Sequence, residues 1–454
     1  MKKKNSILKF ATAATMALAS IAPAFAQSNL GQSCGCPAVA SRTVSVNMST
    51  LAVSGGAADG DLLSDTRLTC DKIWVLDKKI YVPNGVTLTI DPGTVVKGKF
   101  QALPANATCL VVSRGGKIIA NGSPSCQIVF TAEADNLDGT YPIANISQWG
   151  GLLLAGRATN NLTSAANGPF DATGNGKLCI ANGVGTFEGF ASSDFRNQWG
   201  ANLSGVAGAS TGGGSAPETF NDFESSGVLR YVSVRHSGAI LSKGGEINGI
   251  SFGSVGSGTV VEHVEVISSG DDNMELWGGK VNVKYATFMF GNDDMFDWDD
   301  SYSGKAQFLF SIKTPGMDTS HVAGVAVAPD ADNGFEMDAD DQKSNLLPRA
   351  HPIIYNATFI GNDKRVMSSD NSGIAAIEAK ELTEGEIYNS IFANFRYGLN
   401  LIKALGTGRT LAAGGEAWDN WQNGTSRVTG DGNANSLKIK CNGSVGCTKD
   451  IAID

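Results

Sequence analysis

Short apolar alternations run through most of the chain and are separated by Gly, Asn, Asp and Ser. Val86-Thr87-Leu88-Thr89-Ile90, Cys109-Leu110-Val111-Val112, Lys117-Ile118-Ile119-Ala120 and Gln127-Ile128-Val129-Phe130 are examples, bounded by turn signals such as Asn84-Gly85, Arg114-Gly115-Gly116 and Asn121-Gly122. Alternate side chains of a strand face opposite ways, so the pattern predicts short strands joined by tight turns. Sustained helical periodicity is almost absent. Strands this closely spaced suit a sandwich, a barrel or a solenoid, and internal repetition decides among them.

The clearest repetition lies mid-chain. Val261-Glu262-His263-Val264-Glu265-Val266 returns 22 residues later as Val283-Lys284-Tyr285-Ala286-Thr287-Phe288. Gly270-Asp271-Asp272-Asn273-Met274-Glu275-Leu276 returns at the same offset as Asn292-Asp293-Asp294-Met295-Phe296-Asp297-Trp298. Weaker relatives begin at Leu229, Tyr355 and Ile387. A period of this length fits one coil of a parallel β-helix, whose strands stack on those of the preceding coil about 4.8 Å away. The leucine and asparagine pattern of a leucine-rich repeat is missing, and a sandwich would not require two successive segments to match at one offset. The expected fold is therefore all-β, a right-handed parallel β-helix with long Gly/Ser/Asn-rich loops.

The chain resembles a widespread family of bacterial exported proteins with a right-handed, pectate-lyase-like β-helix, most of which have no assigned activity. The resemblance covers roughly residues 70–400. It rests on Leu88-Thr89-Ile90-Asp91-Pro92-Gly93-Thr94-Val95-Val96-Lys97-Gly98, Trp149-Gly150-Gly151-Leu152, Ser226-Gly227-Val228-Leu229-Arg230-Tyr231-Val232 and Glu246-Ile247-Asn248-Gly249-Ile250. Gly270-Asp271-Asp272 and Asp332-Asn333-Gly334-Phe335-Glu336 complete it.

The expected organisation is a signal peptide over 1–26, an N-terminal cap region over 27–69, the β-helix over 70–400 and an irregular tail over 401–454. Lys2, Lys3 and Lys4 precede an apolar stretch through Ala11–Ile21, and Ala24-Phe25-Ala26 supplies small residues at a cleavage site. Residues 158–225, rich in Gly, Ala, Ser and Asn, read as loops leaving the helix. All eight cysteines follow the leader, which in an exported chain suggests disulfides. Cys34 with Cys36, and Cys441 with Cys447, stand where they could fasten the two ends. No later segment is long and apolar enough to span a membrane. The expected place is outside the cell, secreted or on its surface.

With 56 glycines, 42% hydrophobic and 17% charged residues, the composition is that of a folded chain rather than a disordered one. The formal net charge of −9 argues against nucleic acid as a partner, since phosphate binding draws on clustered Lys and Arg. Loss of the leader removes four lysines and leaves the chain more acidic still.

The candidate chemistry is acidic. Asp272-Asn273-Met274-Glu275-Leu276, Asp294-Met295-Phe296-Asp297-Trp298 and Asn333-Gly334-Phe335-Glu336-Met337 share one layout. Strand alternation points Met274, Leu276, Phe296, Trp298, Phe335 and Met337 into the core, and Glu275, Asp297 and Glu336 out of it. Coil stacking makes Glu275 and Asp297 neighbours and sets Asp271 and Asp272 near Asp293 and Asp294. Asp299 and Asp300 extend the cluster, with Asp338, Asp340 and Asp341 adding to it. Like charges at strand spacing cost about 1 kcal/mol per exposed pair. Three things could offset that: a hard cation such as Ca²⁺, a proton shared between acid and base in glycoside hydrolysis, or Asx turns bonded to backbone amides in water. The candidate metal ligands are Asp271, Asp272, Glu275, Asp293, Asp294, Asp297, Asp299 and Asp300. The candidate contacts for a polysaccharide are Trp277, Glu336 and Asp338.

The resemblance also implies polysaccharide lyases and glycoside hydrolases as enzymes of the fold. Gly270-Asp271-Asp272 is similar to the acidic pair of polygalacturonases. However, His236 precedes it instead of following by about a coil, and no Arg-x-Lys motif follows. Fold alone does not license an activity. His263 shares its repeat position with Tyr285 and reads as a stacking residue. The sequence thus points first to a secreted or cell-surface binding or structural β-helix, calcium-stabilised and polysaccharide-binding, and second to a polysaccharide lyase or glycoside hydrolase.

Overall fold

The computed structural model describes residues 30–54, 59–162, 183–203, 217–242, 245–313, 333–339, 347–361, 375–380, 383–395, 397–401, 437–440, 443–445 and 449–453. The leader, Asp340, Asp341, His321, Trp418, Cys179, Cys441 and Cys447 lie outside the described residues. Within them the chain winds as a right-handed parallel β-helix. Its two long sheets hold 16 and 12 strands and pair each coil with the next.

One coil shows how the sequence builds the whole. Val260–Ile267 pairs in parallel with Asn282–Met289, Val261 against Val283 and Val264 against Ala286. Met274–Trp277 pairs with Phe296–Asp299, Glu275 against Asp297. The 22-residue offset read from the sequence is the rung spacing of the coil. Val261, Val264, Val266, Met274 and Leu276 all enter one continuous core, as do Phe296, Trp298, Phe335 and Met337.

Val260–Ile267 is not one straight strand. His263 has φ 52°, and the corresponding residues Tyr231, Tyr285, Phe308, Asn356 and Asn389 have φ between 49° and 61°. A left-handed residue turns the chain through a corner, so two consecutive side chains (Glu262 and His263, for example) leave the core before inward alternation resumes. The coil is therefore three-sided. In earlier coils the same corner is open: Lys117–Asn121 and Ile128–Ala132 are separate strands that pair with the two halves of Gly227–Arg235. The corner rings stack along the solenoid axis, with centroids 4.3 Å apart for Tyr231–His263, 4.5 Å for His263–Tyr285 and 4.9 Å for Tyr285–Phe308. His263 is the stacking residue its repeat position implied.

The third side carries a second apolar layer on its outside. Val184–Thr186 and Gln198–Gly200 form an antiparallel hairpin whose Trp199 and neighbouring Phe187 pack on Tyr81, Leu153 and Trp277. Gly253 leaves the room, since a Cβ there would stand 2.3 Å from the Trp199 indole. Residues 158–225 read in the sequence as loops leaving the helix; among the described residues, Val184–Thr186 and Gln198–Gly200 pack back on it. Apolar side chains from both faces of Leu152–Ala155 need cover, and the insertion folds back to supply it.

Cys34–Cys126 and Cys36–Cys70 tie the N-terminal segment to the first coils. Cys109 is buried and free, its thiol pushed up to about 12 by burial, so the even cysteine count does not translate into complete pairing. No helix among the described residues is long and apolar enough to cross a membrane.

Candidate metal site on the third face

Outward side chains of the third face form register rows. One runs Tyr81, Val111, Leu153, Ser251, Glu275, Asp297, Glu336, Glu378 and Asn400. It is apolar where the hairpin covers it and becomes four successive carboxylates further along. The predicted facing holds, but solvent exposure does not follow: Glu275 is 2% exposed and Asp297 6%.

The row is bracketed by amides. Asn248 Nδ2 donates to Glu275 at 2.5 Å, and Asn400 Nδ2 donates to Glu378 at 2.9 Å. Lys380 pairs with Glu336 and approaches Glu378 at 3.7 Å.

Beside this row, at the corner leading into the strands, a second ladder uses backbone donors. Asp272 N–H donates to Asn248 Oδ1 at 3.1 Å, Asp294 N–H to Asp272 Oδ1 at 2.9 Å, and Asn333 N–H to Asp294 Oδ1. Ala375 N–H donates to Asn333 Oδ1 at 2.9 Å. Asn stands at the two ends of this ladder and Asp at its two middle rungs, since either supplies the Oδ1 acceptor. The Asx reading thus accounts for one oxygen of Asp272 and one of Asp294.

It does not account for the remaining charge. Asp271, Asp272 and Asp293 bring carboxylate oxygens within 4.8 Å of one another, and so do Asp272, Glu275 and Asp297. Asp272 belongs to both triads. Asp294 is 1% exposed and its Oδ2 is buried without a hydrogen-bond partner. Burial first, and then the charges of Glu246, Glu275, Asp294 and Asp297, hold Asp271 well above the usual carboxylate range. Burial and then Asp271, Asp293, Asp297 and Asp294 do the same to Asp272. Asp294 is raised by burial, against the opposing pull of Lys313 and Lys380. Lys313 Nζ itself donates to the Asp293 carbonyl at 2.6 Å.

Other predicted contacts fall elsewhere. Asp299 and Asp300 sit at the far end of the same strand, where Asp300 has φ 49° and its N–H bonds to Asp299 Oδ1 at 2.6 Å; neither joins a triad. Trp277 is corrected as a glycan contact: it is fully buried, 6.5 Å from Trp199 and 5.7 Å from Phe187. Asp338 is buried, and Glu336 is partly buried in its ion pair with Lys380. Sequence reasoning missed Glu246 and Glu378, whose surroundings show no Asp-Asp signature, and Asn248, which precedes the repeat.

These features define a parallel β-helix with a buried carboxylate corner. The chain belongs to the pectate-lyase-like β-helix family, whose domain description, "pectate-lyase like beta helix domain", matches residues 60–176 and 195–434. No curated protein matches it.

Proposed function

We propose that this protein is an exported, polysaccharide-binding β-helix whose coils are clamped by a hard divalent cation, Ca²⁺, at the Asp272 corner. The two carboxylate triads that share Asp272 carry this reading. Ca²⁺ binds oxygen at about 2.4 Å, so no two oxygens on one ion stand more than about 4.8 Å apart, and both triads meet that limit. The donor set is carboxylate throughout, with the unpartnered Asp294 Oδ2 close by. Asp271, Asp272 and Asp293 would hold the ion from two successive coils, and Glu275 and Asp297 would close it from the strand side. The cation supplies the positive charge that the carboxylates lack among themselves. The disulfides Cys34–Cys126 and Cys36–Cys70 support export, since such bonds persist in oxidising compartments.

Glycoside cleavage is the second reading, favoured by the raised pKa values of Asp271 and Asp272. Burial weighs against it, because Asp272, the partner of the half-buried Asp271, is only 6% exposed and Glu275, Asp294 and Asp297 no more, which keeps a polymer chain from a second carboxyl.

The deciding experiment is thermal unfolding after exhaustive chelation, with and without Ca²⁺. A saturable rise in midpoint is expected, because a ligand bound only by the native state stabilises it. No shift would remove the cation from the proposal and return the carboxylates to turn chemistry or acid–base chemistry.

A further inference from the structure

We infer that the outer surface of the second face, around Phe310, is the glycan site, and that it takes a neutral polysaccharide rather than a polyuronate. The inference rests on the reading of this chain as a binding module, not on the cation.

A groove of about 360 Å³ lies there, lined by side chains from successive coils, including Tyr231, His263, Glu265, Thr287 and Phe310. That size is in the range of small-ligand sites. The inner corner rings, His263 and Tyr285, contribute only their edges, because both their faces are spent on neighbouring rings. The Tyr285 and Phe308 planes, for instance, lie within 9° of parallel. Phe310 stands outside that stack and is 38% exposed. In register it has Thr287 on one side and Thr358 on the other, and Glu265 lies one coil beyond Thr287. Glu265 is paired with Arg235 at 3.0 Å, which adds donors next to an acceptor.

An apolar ring flanked by hydroxyls and a charged pair at rung spacing matches one class of ligand. A pyranose has an apolar C–H face and a rim of hydroxyls, and a polysaccharide repeats both. A lipid chain would cover the ring but leave Glu265, Arg235 and Thr287 desolvated without new partners. A polyuronate meets Glu265 at the groove and a chain of net charge −9 around it.

The test is affinity electrophoresis of the whole protein in gels containing a soluble neutral β-glucan, a galactomannan or polygalacturonate. Isothermal titration with matching oligosaccharides would follow. Retardation by a neutral polymer and none by polygalacturonate is expected. Phe310→Ala should weaken binding about tenfold and Glu265→Gln severalfold, with unchanged circular dichroism and unfolding midpoint. Leu63→Ala, exposed on an early coil, should bind as the parent does. Binding should persist after chelation, because the groove and the Asp272 corner are on different faces.

Preference for polygalacturonate, or full binding by Phe310→Ala, would overturn this placement while leaving the binding module standing. Loss of binding on chelation with the fold intact would also overturn it. Retardation by none of the polymers would overturn the placement and the polysaccharide reading together.

Discussion

Asp272 does two things: its Oδ1 receives the Asp294 N–H, and its carboxylate faces the acids of both triads. Asn248 and Asn333 hold the equivalent ladder positions, so an amide fits there. Asp272→Asn should therefore fold, gain about 1 kcal/mol of metal-free stability by losing a repulsive charge, and lose the Ca²⁺-dependent rise in midpoint. Chelated and Ca²⁺-loaded melts of the variant check both statements. The pH response follows from the raised Asp271 and Asp272. A carboxyl whose folded pKa is raised holds its proton more tightly folded than unfolded. Metal-free stability should thus increase as pH falls from the raised values toward 3.8 and decrease as pH climbs through them. Metal-free melts at about pH 5 should lie above those at about pH 8. Saturating Ca²⁺ should reverse the order, because protons compete for the same oxygens.

Between coils, the left-handed corner is the element that sequence reading could not supply. Apolar periodicity and the 22-residue offset reveal stacked strands, but Tyr231, Tyr285 and Phe308 are residue types that seldom adopt positive φ. The Glu262-His263 pair breaks the alternation between Val261 and Val264, but the break alone does not say which way the chain turns. The stacking rings hold each other in that conformation. Tyr285→Ala should cost about 1–3 kcal/mol, from two lost ring contacts of about 0.5–1.5 kcal/mol each. Tyr285→Gly should cost less than Tyr285→Ala, because glycine relieves the left-handed strain of about 1–2 kcal/mol. That is the reverse of the usual order in a strand, and urea unfolding of both variants tests it. A second inter-coil contact is pH-dependent. His351 bonds to Glu384 at 3.0 Å and to Glu386 at 3.3 Å, and Arg349 also reaches Glu384, at 3.2 Å. Burial opposes the charge on His351, but the two carboxylates outweigh it and raise its pKa above 6.5. Its contribution should be complete below pH 6.5 and fade as pH rises through the folded value. Amide protection in Ile353–Ile360 should fall over that window in the parent and not in His351→Gln.

For the molecule as a whole, each coil contacts mainly its neighbours, so stability is close to a sum over rungs. Cys34–Cys126 and Cys36–Cys70 act only on the first rungs. Replacing Cys34 and Cys126 by Ser should expose the N-terminal segment to proteolysis while Val260–Ile267 keeps its hydrogen-exchange protection. Fold class and acidic corner were legible because both recur at a fixed offset. The covering hairpin was not, because Phe187 and Trp199 lie in a Gly-rich stretch without period and their partner Trp277 is distant in sequence. That cover is also why Trp277 misled: an outward position in a solenoid is a surface only if nothing folds back over it.

The corner that joins two faces with a single residue has a consequence for growth. From Val260 to Asn282 the chain advances one rung and returns to the same heading, carrying no insertion of its own. Duplicating residues 260–281 would therefore lengthen the rod by about 4.8 Å without redirecting anything beyond it. It would also repeat one acidic pair and one corner ring. Reach and the number of binding rungs become quantities that copying alone can change, leaving the two ends untouched.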